Sequence, residues 1–125
     1  MTGSDLGSRF AQAIAARDVD GLAGLLAPDV DFKALTPRKF WEGSTPADVA
    51  AAVFDNWFEE SDHIDELVDV TPGTPVEDTA HVGYRFAITN PDGRHTVEQQ
   101  AYYRTDGDRI SYLRIVCSGY RPADG

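Results

Sequence analysis

The segment 81–117 constrains the fold more strongly than any other part of the chain. Its sequence is HVGYRFAITNPDGRHTVEQQAYYRTDGDRISYLRIVC, and two turn signals, NPDG at 90–93 and DGD at 106–108, divide it into three long pieces. On both sides of the first turn, polar and apolar residues alternate with the period of two that half-buried strands require. We therefore predict a three-stranded antiparallel meander, which must curl around a core supplied by the earlier part of the chain.

The first residues of the chain predict two helices in a hairpin. Apolar residues recur three and four positions apart until the chain reaches Arg17, as they do along the buried face of a helix. Asp18 then caps a short second helix. Pro28 stops this helix, because a proline ring clashes with a helical residue before it.

Two more strands and a third helix complete the order of elements. The alternation of polar and apolar residues predicts a short strand at 30–34 and a longer one at 63–71. Between them, Thr45 as cap and Pro46 at the first helical position predict a strongly amphipathic third helix.

The connection at 36–44 carries two large aromatic residues, Phe40 and Trp41, and we interpret it as a flap over the apolar face. The order of elements is then helix, helix, strand, helix and four strands. This order predicts the α+β class, in which a curled antiparallel sheet has the three helices of the N-terminal half packed on its concave face.

Length and charge narrow the number of domains and the class of partner. A chain of 125 residues is expected to form one domain, 1–125, with an ordered core over roughly 5–120. Lys and Arg total 11 against 21 Asp and Glu, and the net charge of -10 repels phosphate backbones and anionic lipids. We therefore expect neither nucleic acid nor a membrane as a partner.

The cysteine and histidine content indicates the cellular compartment and whether a metal site is expected. The single cysteine, Cys117, excludes an internal disulfide, and the opening residues MTGSDLGSRF lack the pattern of a signal peptide, so we expect a cytoplasmic protein. The three histidines have no carboxylates at ligand spacing, and we expect His95, next to the first turn, to face solvent. We therefore predict no metal site and no cofactor.

Several of these features together resemble a known family. They are the run FAQAIAARDVDGLAGLLAPDVDF, the connection ending in Gly43, the amphipathic third helix and the meander with its DGDRI turn. From about Leu6 to Val116, the chain resembles the nuclear-transport-factor-two-like superfamily, in particular SnoaL-like proteins. The resemblance implies a cone-shaped sheet around a pocket, and a homodimer formed through the outer face of the sheet. It does not define an activity, because this fold hosts isomerases, hydrolases, dehydratases, cyclases and binding modules.

The resemblance implies that residues used by three enzyme types of the superfamily are replaced in this chain. Ketosteroid-isomerase-like members carry a tyrosine on the first helix and an aspartate base on the first strand. By this resemblance, the corresponding positions in this chain are Phe10 and Ala34. Their protonated acid on the sheet falls near Gln100 or Ala101. The resemblance therefore implies that this acid–base chemistry is missing.

Epoxide-hydrolase-like members activate water with an arginine and an aspartate on one strand and a second aspartate on the last strand. The corresponding positions here are Tyr84, Phe86 and Ile115. Ile115 also stands where SnoaL-type cyclases place an acid, so the resemblance supports neither reaction.

Strand parity predicts an apolar inner face with a few polar groups. The predicted ligand-binding residues are Phe10, Phe32, Trp57, Tyr84, Phe86, Gln99, Tyr103, Leu113, Ile115 and Cys117. Tyr84 is a core tyrosine or a hydrogen-bond donor to a ligand, and the amide of Gln99 needs a partner wherever it is buried. The sequence does not define a catalytic residue, and its candidates are Tyr84, Glu66, as a base if it faces inward, and Cys117, which is otherwise a small buried side chain.

The other face of the sheet carries charged and aromatic side chains. They are Arg85, Glu98, Gln100, Tyr102, Arg104, Tyr112 and Arg114. These residues are either a solvated set of ion pairs or the surface through which two copies associate, since Tyr and Arg are enriched in interfaces. We expect a homodimer.

Three functions remain open from the sequence. The first is an isomerase, lyase or hydrolase acting on a small, neutral, apolar substrate. The second is a non-catalytic ligand-binding or dimerisation module with the same pocket, which the missing acid–base pair favours. The third is an interaction scaffold whose core is filled by its own aromatic residues.

Overall fold

The structure, a computed structural model, describes residues 3–37 and 39–122, with side chains from Leu6 onward. Within these residues, three helices and seven strands follow one another. The helices are α1 (Gly3–Ala15), α2 (Val19–Gly24) and α3 (Pro46–Ala50), which continues as a π-helical segment over Ala51–Trp57. The strands are β1 (Leu26–Thr36), β2 (Lys39–Gly43), β3 (His63–Pro72), β4 (Ala80–Asn90), β5 (Gly93–Asp106), β6 (Arg109–Cys117) and β7 (Arg121–Pro122).

The strands form one curled, open sheet in the order β2-β1-β6-β5-β4-β3, with β7 added beside β5. The pairing is antiparallel except between β1 and β6, which run parallel. The predicted meander is confirmed as β4, β5 and β6. Gly93 and Gly107 adopt φ values of 119° and 66° in its two turns, a region that residues with a Cβ disfavour. The α+β class with helices on a curled sheet is confirmed.

The predicted flap is a strand. Residues 39–43 form β2, whose pairing with β1 includes Leu35 opposite Phe40 and Ala34 opposite Trp41. Alternation therefore turns Phe40 outward, where it is 50% exposed, and turns Trp41 towards Trp57. A strand of five residues gives too short an alternation to distinguish it from a loop, which is why the sequence prediction was wrong here.

Helix caps and close packing hold the helices on the sheet. Asp18 and Thr45 cap α2 and α3 as predicted, by accepting hydrogen bonds from the amides of Gly21 and Asp48. Helix α1 lies against β3, β4 and β5 and buries Phe10 and Ile14 completely or nearly so. No helix within 3–37 and 39–122 is long and apolar enough to cross a membrane.

Arg17 ties the end of α1 to the end of the third helix. Its guanidinium donates to the carbonyl oxygens of Phe58 and Glu59, at 2.8 Å in each case, and to that of Asp62. Carbonyls at the end of a helix lack partners within the helix, so this side chain satisfies them. The contact fixes the point where the chain leaves the π-helical segment for β3.

Candidate ligand-binding site

The inner face of the sheet holds a buried pair of polar side chains. Tyr84 on β4 and Gln99 on β5 are cross-strand partners, and they are 2% and 0% exposed. The Tyr84 hydroxyl donates a 2.8 Å hydrogen bond to Oε1 of Gln99. The Nε2 atom of Gln99 is fully buried and has no partner among the described residues. An unpaired buried donor costs about 1–3 kcal/mol, so this nitrogen is available to an acceptor from outside the chain.

Tyr84 is a neutral hydrogen-bond donor. Burial raises the pKa of its phenol well above the usual value of 10.0, and the nearby Cys117 raises it further. A phenol in such a place does not release its proton near neutral pH. Tyr84 can therefore orient Gln99 or a ligand, but it cannot act as a base.

Trp57 supplies a second buried donor without a partner. It ends the π-helical segment, and its ring centroid lies 6.1 Å from the centroids of both Phe32 and Trp41. The indole Nε1 is buried and has no partner among the described residues. Trp57 was predicted as a ligand-binding residue, but its N–H group was not predicted to lack a partner, although buried tryptophans usually need an acceptor.

His95 is half-buried, and the prediction that it faces solvent was wrong. Its ring packs edge-on against Tyr120, with centroids 5.8 Å apart, and Nδ1 is buried without a partner among the described residues. His95 shares inward parity with Val97 and Gln99 on β5, and β7 pairs with the strand at this point. Extending the alternation of β5 towards its first turn would have identified it.

Most of the other predicted ligand-binding residues are packed into the core. Phe10, Phe32, Phe86, Tyr103, Leu113 and Ile115 are each at most 1% exposed. Tyr103 accepts a 3.1 Å hydrogen bond from the Gly7 amide through its hydroxyl. Cys117 is half-buried, lies opposite Gln99 in the register of β5 and β6, and accepts a 3.4 Å hydrogen bond from the Gly119 amide.

Glu66 lies outside the cone and does not reach these groups. Irregularities in the pairing of β3 with β4, between Ile64 and Glu66 and between Leu67 and Asp69, break the period of two. As a result Glu66 is exposed, while Leu67 packs against the core. Glu66 therefore does not meet the condition for a base, which was that it face inward; strand parity assumes an unbroken strand and does not apply here.

Among the described side chains, Asp62 has a buried carboxylate, which accepts hydrogen bonds within the chain. It is 9% exposed and accepts hydrogen bonds from the Glu59 amide at 3.0 Å and from Asn90 Nδ2 at 3.0 Å. These contacts close the turn between the third helix and β3. Within the part of the chain that the structure describes, no group of three His, Cys, Asp or Glu side chains could hold a metal ion.

The outer face is a network of contacts within the chain. Arg85 bonds Glu98 at 3.0 Å, and Arg104 and Arg114 lie over the ring of Tyr112 at 4.4 and 4.0 Å. The hydrogen bonds from Arg85 and then from Gln100 lower the pKa of Glu98. Tyr102 stacks on His81, with ring centroids 4.4 Å apart.

An apolar row on the outer face was not predicted. Leu35, Phe40 and Val116 are 53%, 50% and 51% exposed, and they are neighbours on three adjacent strands, since Leu35 pairs with both of the others. We call these three residues the apolar row. The outward parity of Leu35 and Val116 was visible in the sequence, but their adjacency depends on the parallel pairing of β1 with β6, which alternation alone does not specify.

Comparisons with known proteins agree on the fold. No family model matches the sequence, and no curated protein matches it. Among solved structures, one similar to this chain is a candidate isomerase from Bacillus subtilis, with a TM-score of 0.71, 11% identity, and coverage of 94% of this chain and 90% of the other. A candidate polyketide cyclase from Pseudomonas putida has a TM-score of 0.69, 15% identity, and coverage of 92% and 90%.

An epoxide hydrolase of the LEH-like type from M. tuberculosis is also similar, with a TM-score of 0.64, 13% identity, and coverage of 91% of this chain and 80% of the other. At these identities the likeness establishes architecture. The chain has the cone-like α+β fold of nuclear-transport-factor-two-like and SnoaL-like proteins, as the sequence predicted.

Proposed function

We propose that the interior of the cone binds a small, neutral, mostly apolar molecule that carries a hydrogen-bond acceptor such as a carbonyl oxygen. The observation that supports this function is the fully buried Nε2 of Gln99, which has no partner among the described residues. Tyr84 occupies Oε1 of the same amide and so presents the nitrogen as a donor. Apolar walls with a few fixed polar groups are typical of small-molecule sites.

Trp57 defines the position where the ligand would enter. Its Nε1 offers a second donor, and its ring lies against Trp41, which is half-buried on the edge strand β2. Cys117, also half-buried, lies opposite Gln99. These partly covered side chains are the proposed entry route, because Phe10 and Ile14 form a closed layer on the side of α1.

We infer that binding occurs without acid–base turnover. The similar structures include a hydrolase, a candidate cyclase and a candidate isomerase, so a reaction was the alternative. Such reactions need a group that can exchange a proton near neutral pH. Here Tyr84 stays protonated, Glu66 is exposed, and Asp62 is engaged by backbone and amide donors. These observations favour the non-catalytic alternative.

A titration with two matched probes tests the proposal. Acetophenone has an aromatic ring and a carbonyl, whereas ethylbenzene has the ring without the acceptor. In ¹H–¹⁵N spectra, acetophenone is expected to shift the side-chain signals of Gln99 and Trp57 with saturation, and ethylbenzene is expected to leave them in place. Gln99→Leu should weaken acetophenone binding at least about tenfold, the effect of one lost buried hydrogen bond.

Gln100→Leu is the matched control, because this neighbouring amide lies on the outer face and bonds His81 and Glu98. It should leave acetophenone binding unchanged. If neither probe shifts the two signals, the core is filled and the chain is a scaffold. If both probes shift them equally, the amide does not recognise an acceptor, and the proposal fails.

We also propose that two copies associate through the outer face, centred on the apolar row. The chain carries a charge of -10, but Arg85, Arg104 and Arg114 are paired with Glu98, Asp78 and Asp31 on this face. The pairing leaves a locally neutral surface through which two acidic chains can approach, with three exposed apolar side chains to bury.

The oligomeric state of three single variants tests the association. Leu35→Asp and Val116→Asp should convert a dimer to a monomer in sedimentation at micromolar concentration. Val68→Asp is the control, because Val68 is 52% exposed but lies on β3, away from the apolar row. A monomeric native chain, or a Val68→Asp variant that dissociates equally, would contradict the proposal.

A further inference from the structure

A cavity lies on the outside of the sheet, away from the interior of the cone. It has a volume of about 230 Å³ and is bounded by the end of β3, the turn after it, β4 and β5. Asp69, Thr71, His81, Arg85, Glu98 and Gln100 line it with polar groups. We call it the outer hollow. Its volume is below the roughly 300–1,000 Å³ of pockets for drug-sized molecules, so its ligand must be smaller.

Two glycines leave room for the side chains of Gln100 and His81, which line the outer hollow. A Cβ on Gly83 would lie 2.7 Å from Oε1 and 2.8 Å from Nε2 of Gln100. A Cβ on Gly73 would lie 1.8 Å from Nδ1 of His81. Neither glycine has a φ in the left-handed region. Each position therefore requires glycine because a side chain would clash there, and not because of its backbone conformation.

A chain of hydrogen bonds holds the polar groups of the outer hollow in place. His81 Nε2 donates to Gln100 Oε1 at 2.6 Å, since an amide oxygen can only accept. Gln100 Nε2 donates to one oxygen of Glu98 at 2.8 Å, and Arg85 Nε donates to the other at 3.0 Å. Groups that are already ordered lose less conformational entropy when a ligand binds.

Opposite charges face each other across strands β3 and β4. Asp69 and Arg85 are direct cross-strand partners, but Arg85 turns its Nε to Glu98 on the other side. Both terminal nitrogens of Arg85 remain without a partner among the described residues, and the Asp69 carboxylate accepts only the Thr71 hydroxyl there, at 3.2 and 3.3 Å. The outer hollow thus offers the unpartnered terminal N–H donors of Arg85, whose Nε is ion-paired with Glu98, beside a carboxylate that accepts only the Thr71 hydroxyl among the described residues.

This arrangement excludes simple ions as good ligands. An anion would be drawn to Arg85 but repelled by Asp69, Glu98 and the -10 charge of the chain. A cation would be drawn to the carboxylates but repelled by Arg85. A molecule that carries both charges meets each group with its complement, and the guanidinium is suited to bidentate binding of a carboxylate.

We propose that the outer hollow binds a small zwitterion of the amino-acid class, with its carboxylate on Arg85 and its ammonium on Asp69. The site is separate from the cone, and the proposal does not depend on the function proposed for the cone. It is also separate from the apolar row, although both lie on the outer face.

Three probes of one size test it: glycine, sodium acetate and methylammonium chloride, at constant ionic strength. In ¹H–¹⁵N spectra, glycine is expected to shift the backbone signals of Gly83 and Gly73 with saturation in the millimolar range. Acetate and methylammonium should each bind at least about tenfold more weakly, since each makes one of the two charge-assisted contacts.

Surface variants identify the groups responsible. Arg85→Gln and Asp69→Asn lie at exposed positions and should each weaken glycine binding at least about tenfold. Arg104→Gln is the control, because Arg104 is also on the outer face but stacks on Tyr112 outside the outer hollow. It should bind glycine like the native chain.

The proposal is overturned if acetate binds as well as glycine, or if Arg104→Gln weakens binding as much as Arg85→Gln. It is also overturned if glycine produces no saturable shift in either the native chain or the Leu35→Asp variant, whose outer face does not pair with a second copy. Acetophenone binding reports on Gln99 and Trp57, so failure of the outer hollow and failure of the cone are observed separately.

Discussion

Among individual residues, Tyr84 and Gln99 form a buried polar pair whose contribution to stability can be measured. Tyr84→Phe removes the donor to Gln99 Oε1 and leaves the whole amide buried without a partner among the described residues. We expect the free energy of unfolding to fall by about 1–3 kcal/mol, the cost of an unsatisfied buried group. Urea denaturation followed by circular dichroism measures this loss. A native-like midpoint for Tyr84→Phe would show that water already satisfies the amide.

The double variant Tyr84→Phe/Gln99→Leu provides the control for that prediction. It replaces both polar groups by apolar ones of similar shape, which can be nearly neutral for stability. The double variant should therefore be more stable than Tyr84→Phe alone. A simple sum of two destabilising effects would instead indicate that the two side chains do not act as a pair.

Between elements, α1 lies close against the sheet at Gly7. A Cβ there would lie 2.7 Å from the Tyr103 hydroxyl and 2.9 Å from Val82 Cγ1. Gly7→Ala should gain about 1 kcal/mol of helix propensity but lose about 1–3 kcal/mol to overpacking, so we expect net destabilisation. Gly24→Ala in α2 is the control, since no atom lies within 4 Å of its Cβ position, and it should be neutral or stabilising. In thermal melts, the melting temperature of Gly7→Ala should fall, and that of Gly24→Ala should stay the same or rise.

The same elements show how far sequence patterns can predict a fold. The meander and the caps at Asp18 and Thr45 were predictable, because alternation over many residues and capping chemistry act locally. The strand β2 and the shifted parity around Glu66 could not be predicted from the sequence. A five-residue alternation resembles a loop, and a β-bulge shifts parity through pairing with a distant strand, which no local pattern records.

For the molecule as a whole, strand parity predicted that Tyr84 and Gln99 share the inner face, but not which of the buried polar atoms lack a partner. Parity placed Tyr84 and Gln99 on the same inner face, and the structure brings them into contact. The unpartnered atoms, Gln99 Nε2 and Trp57 Nε1, follow from which neighbours are close enough to bond. That information depends on how the helices sit on the sheet, so it is a property of the assembled fold.

The charge of the whole chain predicts a response to salt. The net charge of -10 means that like charges repel one another within a domain whose radius of gyration is about 14 Å. At 0.01 M ionic strength the Debye length is about 30 Å, so all of these charges interact. At 0.15 M the length is about 8 Å, so most of the repulsion is screened. We expect the melting temperature at pH 7.5 to rise by roughly 3–6 °C with added sodium chloride, for about 1 kcal/mol of repulsion relieved.

The control is the same experiment at pH 4.5, close to the isoelectric point of about 4.5, where the effect should disappear.

Specific carboxylates do not confound this comparison. Hydrogen bonds lower the folded-state pKa of Glu98, chiefly from Arg85, and of Asp48, chiefly from the Ser44 amide, from ordinary values of 4.5 and 3.8. A lowered pKa contributes stability that is present above the ordinary value and lost as the pH falls through the folded one, so their loss lies mainly below pH 4.5. An equal rise at both pH values would mean that salt acts through burial of apolar surface rather than through charge.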